Sequence, residues 1–579
     1  MGRLDGRRAT GDGRRATGDG RRATGDGRRA TGDGRRRVLF AARSAVALYR
    51  LLDTAPVFAG DHRISRCFTL VPGSDFGVDA LAALERVGAR TIPWEEACEE
   101  PFDLVVAASP KGELDRLRGP RVLLPHGAGF NKTLPQEGAE GRASGLDPAH
   151  LVRAGRALAT LHALAHPSQL TRLAADDPRA AGPARIVGDP TLDRILASRS
   201  HRDRYRQVLR TGARRLVVLA STWGPTSLLH QRPNLAAELT ERLPHDSYQL
   251  GLLVHPNERA GLSAYDLAQQ LDPAVAGGLV LTDSYEAWGA LLVAADAMVT
   301  DHGSSALYAA ALGLPLVSVY DGGGELIPGS PMDRLLADIP FAAGPDDVKK
   351  ALDTHHPDSS ARALQHASAA FAEPGRALEL LRTHVYDLLE LDPPHGQPVA
   401  APLPPPTAPA RTTGSFAVRT HAEDGGIRIE RFPQRSGATA DHLAAESGRA
   451  GEREIQSASL LYRRATPTAG SPHLSTWTAA GWTAHILDSY PTCRTAAVIL
   501  SPTHCVARLR TGGLLSMHIR PCHEEGRVIS PDPAAALSAL HFRSAGVRPL
   551  PGTIICLIDR QVHECVISSA EEADSSAPV

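Results

Sequence analysis

Lysine is almost absent from this chain: only Lys111, Lys132, Lys349 and Lys350 occur among its 579 residues, so arginine carries most of the positive charge. Together with abundant Ala, Gly and Pro, this bias is typical of a high-GC genome and weakens arguments from composition alone. The net charge is −1 and the pI is about 7.1, which excludes an overall basic protein that binds nucleic acid.

Long apolar runs are also missing. No stretch of about 18 consecutive apolar residues occurs, so we predict no membrane-spanning helix. The N-terminal segment has no apolar core of the kind that a secretory signal needs, and we expect a cytoplasmic protein. The seven cysteines include no Cys-x-x-Cys pair, which favours reduced thiols. Neither Cys522-His523 nor His563-x-Cys565 matches a zinc motif, so we expect no metal site.

Four copies of Gly-Arg-Arg-Ala-Thr-Gly-Asp fill residues 6–33. Two glycines in each repeat oppose a helix, and no apolar face could form a core. We therefore expect residues 1–36 to be a disordered, basic segment. Each Arg-Arg-Ala-Thr resembles a basophilic kinase site, although a tandem expansion of the DNA is the simpler explanation of the repeat.

Apolar runs alternate with helical patterns through the next part of the chain, which indicates βαβ units and parallel sheets. We predict an α/β fold with two tandem Rossmann-like domains, at residues 37–200 and 201–391. The helical pattern at 376–391 would close the second domain.

A proline-rich stretch at 392–414 predicts a semi-rigid linker, cleavable by proteases, that separates two folding units. Short apolar runs and one helical segment follow at 415–570, and we expect a small α+β domain of unknown role there. Residues 571–579 are predicted to be a frayed tail.

The most informative motif lies at residues 299–317, which predict a buried strand, a polar turn, a helix and a second strand. A helix N-terminus offers unpaired N–H groups and a partial positive charge. Gly303 allows a ligand to approach the backbone, and Ser304 and Ser305 add hydroxyl groups. The turn therefore predicts an anion site suited to a diphosphate, with Asp301 and His302 beside it.

Polar side chains follow three other predicted strands, as expected of a crevice at the carboxyl ends of parallel strands. The first of these loops holds His126 and Lys132, the second Thr222, and the third His255. An imidazole near its ordinary pKa can accept a proton from a hydroxyl at neutral pH. Each loop alone is equally well explained as a solvated histidine, a helix cap or a simple turn.

As an ordered set, these motifs resemble the CDP-glycerol glycerophosphotransferase family, whose members build teichoic-acid-type polyol phosphate polymers on a GT-B fold. The family's His-Gly motif is matched by His126-Gly127, and its Thr-Trp motif by Thr222-Trp223. Its mid-domain histidine is matched by His255, and its Thr-Asp-Tyr-Ser-Ser signature by residues 300–305. The resemblance covers roughly residues 38–390 and indicates a diverged member of high-GC actinobacterial type.

The resemblance implies a transfer from a CDP-activated alditol, or another nucleotide-activated donor, to a hydroxyl of a lipid-linked or polymeric acceptor. Under it, His126 and Asp301 are the candidate catalytic residues. The candidate substrate-binding residues are Lys132, Thr222, His255, His302, Gly303, Ser304 and Ser305. It implies no resident cofactor, although Mg²⁺ can accompany the nucleotide, and no nucleic-acid partner. A cytoplasmic enzyme of this kind would contact the inner face of the membrane peripherally.

Three positions depart from the family pattern: Pro125 replaces a Trp, Gly224 replaces a basic residue, and His302 stands at the Tyr position. A nucleotide-sugar glycosyltransferase, a 2-epimerase-like enzyme and a catalytically decayed nucleotide-binding protein therefore stay open as alternatives. In ordinary glycosyltransferases a Glu holds the ribose, and Glu286 and Glu325 are the candidates here.

Overall fold

A computed structural model describes residues 34–73, 83–125, 127–133, 142–282, 287–409, 411–433, 440–465, 475–544 and 551–579. The repeat at 6–33 and the candidate residues His126 and Glu286 lie outside these ranges. The described chain forms two parallel sheets followed by a closed, nine-stranded sheet.

The first sheet has six parallel strands in the order β2-β1-β3-β4-β7-β8, and a short hairpin, β5-β6, lies beside it. These strands are β1 (Arg36–Ala42), β2 (Ile64–Leu70), β3 (Leu104–Ala107), β4 (Arg121–Leu123), β5 (Val152–Arg153), β6 (Arg156–Ala157), β7 (Leu161–Leu164) and β8 (Ala184–Ile186). Strand β3 is buried along its whole length because helices cover both faces of the sheet.

The second sheet has five parallel strands in the order β11-β10-β9-β12-β13. They are β9 (Arg215–Ser221), β10 (Tyr248–Val254), β11 (Val280–Leu281), β12 (Ala297–Thr300) and β13 (Leu316–Ser318). Strand order reverses between β9 and β12, so the segments that leave these two strands diverge and open a crevice. The two parallel sheets confirm the predicted α/β fold with two Rossmann-like units.

Helices surround both sheets. In the first half of the chain they span Ala45–Thr54, Trp94–Glu99, Pro148–Leu151, Pro167–Asp176, Pro178–Ala181 and Pro190–Ala197. Around the second sheet they span Arg202–Val208, Leu228–Gln231, Leu235–Arg242, Pro256–Gly261, Ala264–Ala276, Ala287–Ala294, Ser305–Ala311, Pro331–Asp338, Pro345–Asp353 and Pro357–Ser368. Short 3₁₀ turns occur at Ala55–Phe58, Leu114–Arg116 and Arg199–His201.

The sequence pattern at 376–391 predicted that this part of the chain closes the second domain. In the structure, the helix Ala377–Leu389 instead packs against the first domain. Its apolar side chains, including Leu381 and Val385, belong to the core that also contains Phe40 and Leu48. The hydroxyl of Tyr386 donates to Asp61 at 2.9 Å. This crossing helix therefore ties the end of the second α/β domain to the first.

The segment predicted as a linker lies against the body of the protein. Leu403 is buried in the core of the second domain, its N–H bonds Ser198 Oγ, and its carbonyl accepts from the Tyr205 hydroxyl at 2.6 Å. Further along, Arg411 pairs with Asp272. The prediction of a linker rested on the local proline content. Local composition cannot show that Leu403 is buried in a core formed by residues far away in the sequence.

The last part of the chain forms a closed barrel in the order β14-β15-β23-β24-β20-β19-β18-β17-β16. Its strands are β14 (Ser415–Glu423), β15 (Gly426–Pro433), β16 (His442–Glu446), β17 (Leu460–Arg464), β18 (Thr495–Ser501), β19 (His504–Leu509), β20 (Leu514–Ile519), β23 (Gly552–Ile558) and β24 (Gln561–Ser569). A hairpin of β21 (Cys522–Glu524) and β22 (Arg527–Ile529) stands apart, and helices span Glu452–Ser457, Ala479–Ser489, Pro533–Ser544 and Glu572–Ser576.

The helix Pro533–Ser544 fills this barrel. Its residues Pro533–His541 are all buried, and it packs against β14, β15, β17, β18, β19 and β23. The predicted α+β domain is therefore a closed sheet around one apolar helix. The one helical segment expected at 415–570 corresponds to this central helix, although the described residues there also form two shorter helices.

Candidate functional site

A cavity of about 330 Å³ opens at the carboxyl ends of the strands of both α/β domains. One wall comes from the segments after β1, β3 and β4 of the first sheet. The other comes from the segments after β9, β10 and β12 of the second sheet. The cavity thus occupies the place where open parallel sheets bind ligands, and both domains contribute to it.

The charged side chains that line this cavity are all positive among the described residues. Five cationic side chains and two histidines line it, whereas no Asp or Glu occurs among its described lining residues. The cations are Arg43, Arg50, Lys111, Lys132 and Arg259. Two of the chain's four lysines are therefore in this one cavity. Such a cavity favours an anionic ligand.

Burial changes the acid–base properties of both lysines. Desolvation, and secondarily the nearby charge of Arg43, lowers the pKa of Lys111 to about 8. Desolvation also lowers the pKa of Lys132, although the charges of Asp301 and Glu325 oppose this effect. A bound anion would favour the charged form of both amines.

The buried carboxylate of Asp301 binds backbone N–H groups of the second-domain wall of the cavity. Its Oδ2 accepts the backbone N–H of Thr222 at 2.7 Å and that of Leu228 at 2.9 Å, while Oδ1 accepts the N–H of Gly303 at 2.8 Å. The residue is 1% exposed and does not line the cavity. Asp301, which the family resemblance implied as catalytic, therefore joins the loops after β9 and β12 by accepting their backbone N–H groups.

His302 faces Glu325, one of the two acidic candidates from the sequence. The His302 Nε2 lies 2.9 Å from Glu325 Oε2, and the Thr226 hydroxyl donates to Glu325 Oε1 at 2.9 Å. Burial, and then the charge of Lys132, lowers the pKa of His302, which favours the neutral imidazole. Burial tends to raise the pKa of Glu325, but the hydrogen bonds from His302 and Thr226 outweigh it and lower that pKa.

Lys132 of the first domain contacts side chains of the second domain. Its Nζ lies 3.2 Å from Thr222 Oγ1 and 3.9 Å from Glu325 Oε2. Backbone hydrogen bonds join the same segments, because Thr133 N–H donates to the Glu325 carbonyl and Ile327 N–H to the Asn131 carbonyl. The two domains are thus held together along one edge of the cavity.

His255 begins the helix Pro256–Gly261. Its Nδ1 accepts the N–H of Asn257 at 3.1 Å, which places the proton of a neutral imidazole on Nε2. The ring lies 6.3 Å from that of Trp223, which is 37% exposed at the mouth of the cavity. Trp223 and His255 therefore add an aromatic and a polar surface to the lining of the cavity.

Gly224 explains one departure from the family pattern. Its backbone has φ +87°, which strains any residue with a side chain, and its N–H donates to Glu258 at 3.2 Å. A basic residue at this position is therefore disfavoured. Arg259, one residue after Glu258, is the cation that this wall of the cavity does contain.

Ser304 and Ser305 line the cavity at the start of the helix Ser305–Ala311. Ser304 makes no side-chain cap hydrogen bond, and its Oγ lies 3.6 Å from the position that a Cβ on Gly127 would occupy. Gly127 belongs to the first domain, so the two domains come close to each other at this point. The helix has only seven residues, so the polar character of this part of the wall comes from the serine side chains more than from the helix end.

Seven of the nine candidate residues meet in this cavity. They are Lys132, Thr222, His255, His302, Gly303, Ser304 and Ser305. Asp301 lies behind it, and His126, although its neighbour Gly127 lines the cavity, is outside the described residues.

Sequence reasoning missed Arg43, Arg50, Lys111 and Arg259, together with Tyr308. Arg43 and Lys111 follow β1 and β3, the pair of strands at which the order of the first sheet reverses. A search of that switch point would have found them. Because the chain has only four lysines, Lys111 could also have been singled out from the sequence.

Over the parts of the chain that the structure describes, no three His, Cys, Asp or Glu side chains are grouped so that they could hold a metal ion. Within the same parts, no helix is long and apolar enough to cross a membrane.

No family model matches the chain, and no curated protein matches it. Among solved structures, the wall teichoic acid polymerase TagF is similar with 12% identity and a TM-score of 0.43, covering 62% of this chain and 90% of TagF. Alr3699/HepE from Anabaena, in complex with UDP-glucose, has 14% identity and a TM-score of 0.39, covering 61% of this chain and all of HepE. MnaA from S. aureus, with UDP, has 10% identity and a TM-score of 0.43, covering 63% of this chain and all of MnaA. These likenesses assign neither a family nor an activity to the chain.

Proposed function

We propose that this protein is a transferase of GT-B type that uses a nucleotide-activated donor. The observation that carries this proposal is the cavity of about 330 Å³ between two Rossmann-like domains, with five cations and no carboxylate among its described lining residues. A nucleoside diphosphate is a ligand of suitable size and charge, because small-ligand pockets begin at about 300 Å³. The two walls provide separate places for a donor and an acceptor.

The donor is proposed to bind mainly the second domain. The loops after β9 and β12 border the switch point of that sheet, and they carry Thr222, Ser304 and Ser305. Hydroxyl groups can donate to phosphate oxygens, and Lys132 adds a charge from the opposite domain. Glu325 already accepts from His302 and Thr226, so a ribose hydroxyl would have to share this carboxylate.

In its finer form, the proposal is that a glycerophosphate-like group moves from a CDP-activated donor to a hydroxyl acceptor during cell-wall polymer synthesis. The acceptor would be lipid-linked or polymeric, presented to an enzyme that contacts the membrane peripherally. Support for the CDP donor comes from the motif resemblance alone. The residues of the cavity are compatible with it but do not select among nucleobases.

His126 is proposed as the general base, because its neighbour Gly127 lines the cavity beside Ser304. The acceptor hydroxyl would give its proton to the imidazole and attack the β-phosphorus of the donor. The bond between that phosphorus and the bridging oxygen would break, and CMP would leave with the oxygen. Positioning and charge stabilisation supply most of the catalysis in such transfers.

The test is a calorimetric titration of the full chain with CDP, UDP and GDP, followed by assays with their alditol and sugar conjugates. Binding of CDP, with slow CMP release from CDP-glycerol in the absence of acceptor, is the expected result. Preference for UDP, with release of UDP from a UDP-sugar, would replace the finer proposal by a glycosyltransferase. Epimerisation of the sugar would indicate a 2-epimerase-like enzyme. Nucleotide binding without turnover would indicate a decayed enzyme, and the absence of any nucleotide binding would contradict the proposal.

A further inference from the structure

Three buried side chains form a closed triangle on the floor of the cavity. Arg50 Nη1 donates to Asp189 Oδ1 at 3.1 Å, and Nη2 donates to the Tyr308 hydroxyl at 2.6 Å. That hydroxyl in turn donates to Asp189 Oδ2 at 2.8 Å. Each of the three residues is at most 7% exposed. Their mutual bonds fix the guanidinium in one orientation.

The three members come from distant parts of the chain. Arg50 lies on the helix Ala45–Thr54 of the first domain, whereas Tyr308 lies on Ser305–Ala311 of the second. Asp189 precedes Pro190–Ala197, on the segment that connects the two domains, and its Oδ1 also accepts the N–H of Leu192. The triangle therefore places a first-domain cation at a fixed position relative to a second-domain helix.

That helix is the one that carries the two serines of the candidate donor site. Tyr308 stands three residues after Ser305 and four after Ser304, so all three side chains lie on one face of the helix. Both Arg50 and Tyr308 line the cavity together with the serines. The guanidinium that Tyr308 holds therefore lines the same cavity as the two serine hydroxyls.

A merely structural role would not require arginine to line the cavity. The pair Asp53–Arg194 already joins the first-domain helix to the connecting segment, with Arg194 Nη1 donating to Asp53 Oδ1 at 2.7 Å. Arginine is also the side chain best suited to a diphosphate, because its planar group presents N–H donors in a fixed fork. Tyr308 and Asp189 act on this fork by orienting it.

We propose that Arg50 is a binding residue for the phosphate groups of the donor, supplied by the first domain and oriented by Asp189 and Tyr308. The phosphate site is then completed only when the two domains stand as they do here. This inference deepens the proposed function and rests on it, because the anion is taken to be the diphosphate of a nucleotide.

The experiment compares Arg50→Lys, Tyr308→Phe and the unchanged protein, using CDP and inorganic pyrophosphate in calorimetry and cytidine in ligand-observed NMR. Arg50→Lys should weaken CDP and pyrophosphate by about ten- to a hundredfold, as expected for a lost hydrogen bond to a charged group. Cytidine binding should not change. Tyr308→Phe should weaken CDP in the same direction but less. Tyr386→Phe is the matched control, because it removes a buried hydroxyl that bonds Asp61, away from the cavity.

Unchanged CDP affinity in Arg50→Lys would overturn the inference, and so would an equal loss of cytidine and CDP, which would indicate a structural role. If Arg50→Lys does not fold, as judged by its melting temperature, Tyr308→Phe decides: an effect no larger than that of Tyr386→Phe overturns the inference. Arg50-dependent binding of pyrophosphate without binding of any nucleotide would reject the proposed function and leave the anion site standing. If the unchanged protein binds neither, both proposals fail.

Discussion

The guanidinium of Arg431 on β15 and the carboxylate of Asp246 in the second α/β domain form an ion pair with no exposed surface on the arginine. Arg431 Nε donates to Asp246 Oδ2 at 2.8 Å, and Nη2 reaches Asp532 Oδ2 at the same distance. The Arg431 carbonyl accepts the N–H of His245, whose ring packs 4.9 Å from that of Phe416. The barrel is therefore docked on the second domain through a desolvated contact.

Replacing Arg431 should destabilise this junction strongly. Arg431→Leu leaves the carboxylate of Asp246 without its buried cation and Asp532 with Arg464 alone, at a cost of about 3–5 kcal/mol. Arg428→Leu on the same strand removes a much more solvent-accessible pair with Glu423 and should leave the unfolding midpoint almost unchanged. Urea unfolding followed by tryptophan fluorescence measures both variants, and equal midpoints would show that the buried pair contributes nothing.

The proline-rich segment should resist proteolysis, contrary to the expectation from composition. Leu403 is buried and both its backbone groups are bonded, so the chain cannot adopt the extended form that a protease needs without first undocking. Leu403→Asp should shorten the lifetime of the intact chain in thermolysin severalfold. Val399→Asp, at a side chain that is 76% exposed, serves as the control and should not change it. Rapid cleavage of the unchanged protein within 392–414 would restore the linker interpretation.

Binding of an anion should weaken as the pH rises through about 8. Burial lowers the pKa of Lys111 from 10.5 to about 8, so its amine loses its charge over the range in which an ordinary lysine keeps it. CDP affinity measured by calorimetry should fall between pH 7 and 9, and Lys111→Met should reduce that dependence. Without ligand the sign is opposite, because the unfolded chain binds the proton more strongly between pH 8 and 10.5 and stability rises across that window.

Asp301→Ala should unfold or loosen the second-domain wall instead of merely slowing a reaction. It leaves the N–H groups of Thr222, Leu228 and Gly303 buried without an acceptor, at roughly 1–3 kcal/mol for each. Thermal melting should therefore shift by many degrees, whereas Asp321→Ala at an exposed carboxylate should leave it unchanged. A stable Asp301→Ala protein that binds CDP normally but lacks turnover would instead support a catalytic role.

Substitution of His126 should lower turnover, whereas substitution of Ser304 and Ser305 should weaken CDP binding, if their proposed roles are correct. His126→Ala should leave CDP affinity nearly intact and lower turnover by about two to four orders of magnitude. Ser304→Ala combined with Ser305→Ala should weaken CDP binding by about 1–3 kcal/mol, since hydrogen bonds to a charged group are lost. Calorimetry and CMP release measure the two quantities. The opposite pattern would mean that the two roles belong to the other loops.

The sequence by itself determined the local elements of this protein. Alternating apolar strands and helices predicted both α/β domains, and the polar turns at strand ends predicted seven residues that line the cavity. In the barrel, the short apolar runs Ser415–Arg419 and Ile427–Arg431 predicted strands, and both lie within strands of the structure. These features depend on neighbours a few positions apart, which the periodicity of side chains records directly.

Only the tertiary structure decided what these elements build together. Closure of the barrel depends on the pairing of β15 with β23, whose members are far apart in the chain. The contact between Arg50 and Tyr308 joins residues 258 positions apart, and Leu403 fills a core that also contains Ala128 and Leu216. No local period encodes such contacts, because they arise when whole domains bury apolar surface against each other and charged groups meet at the boundary.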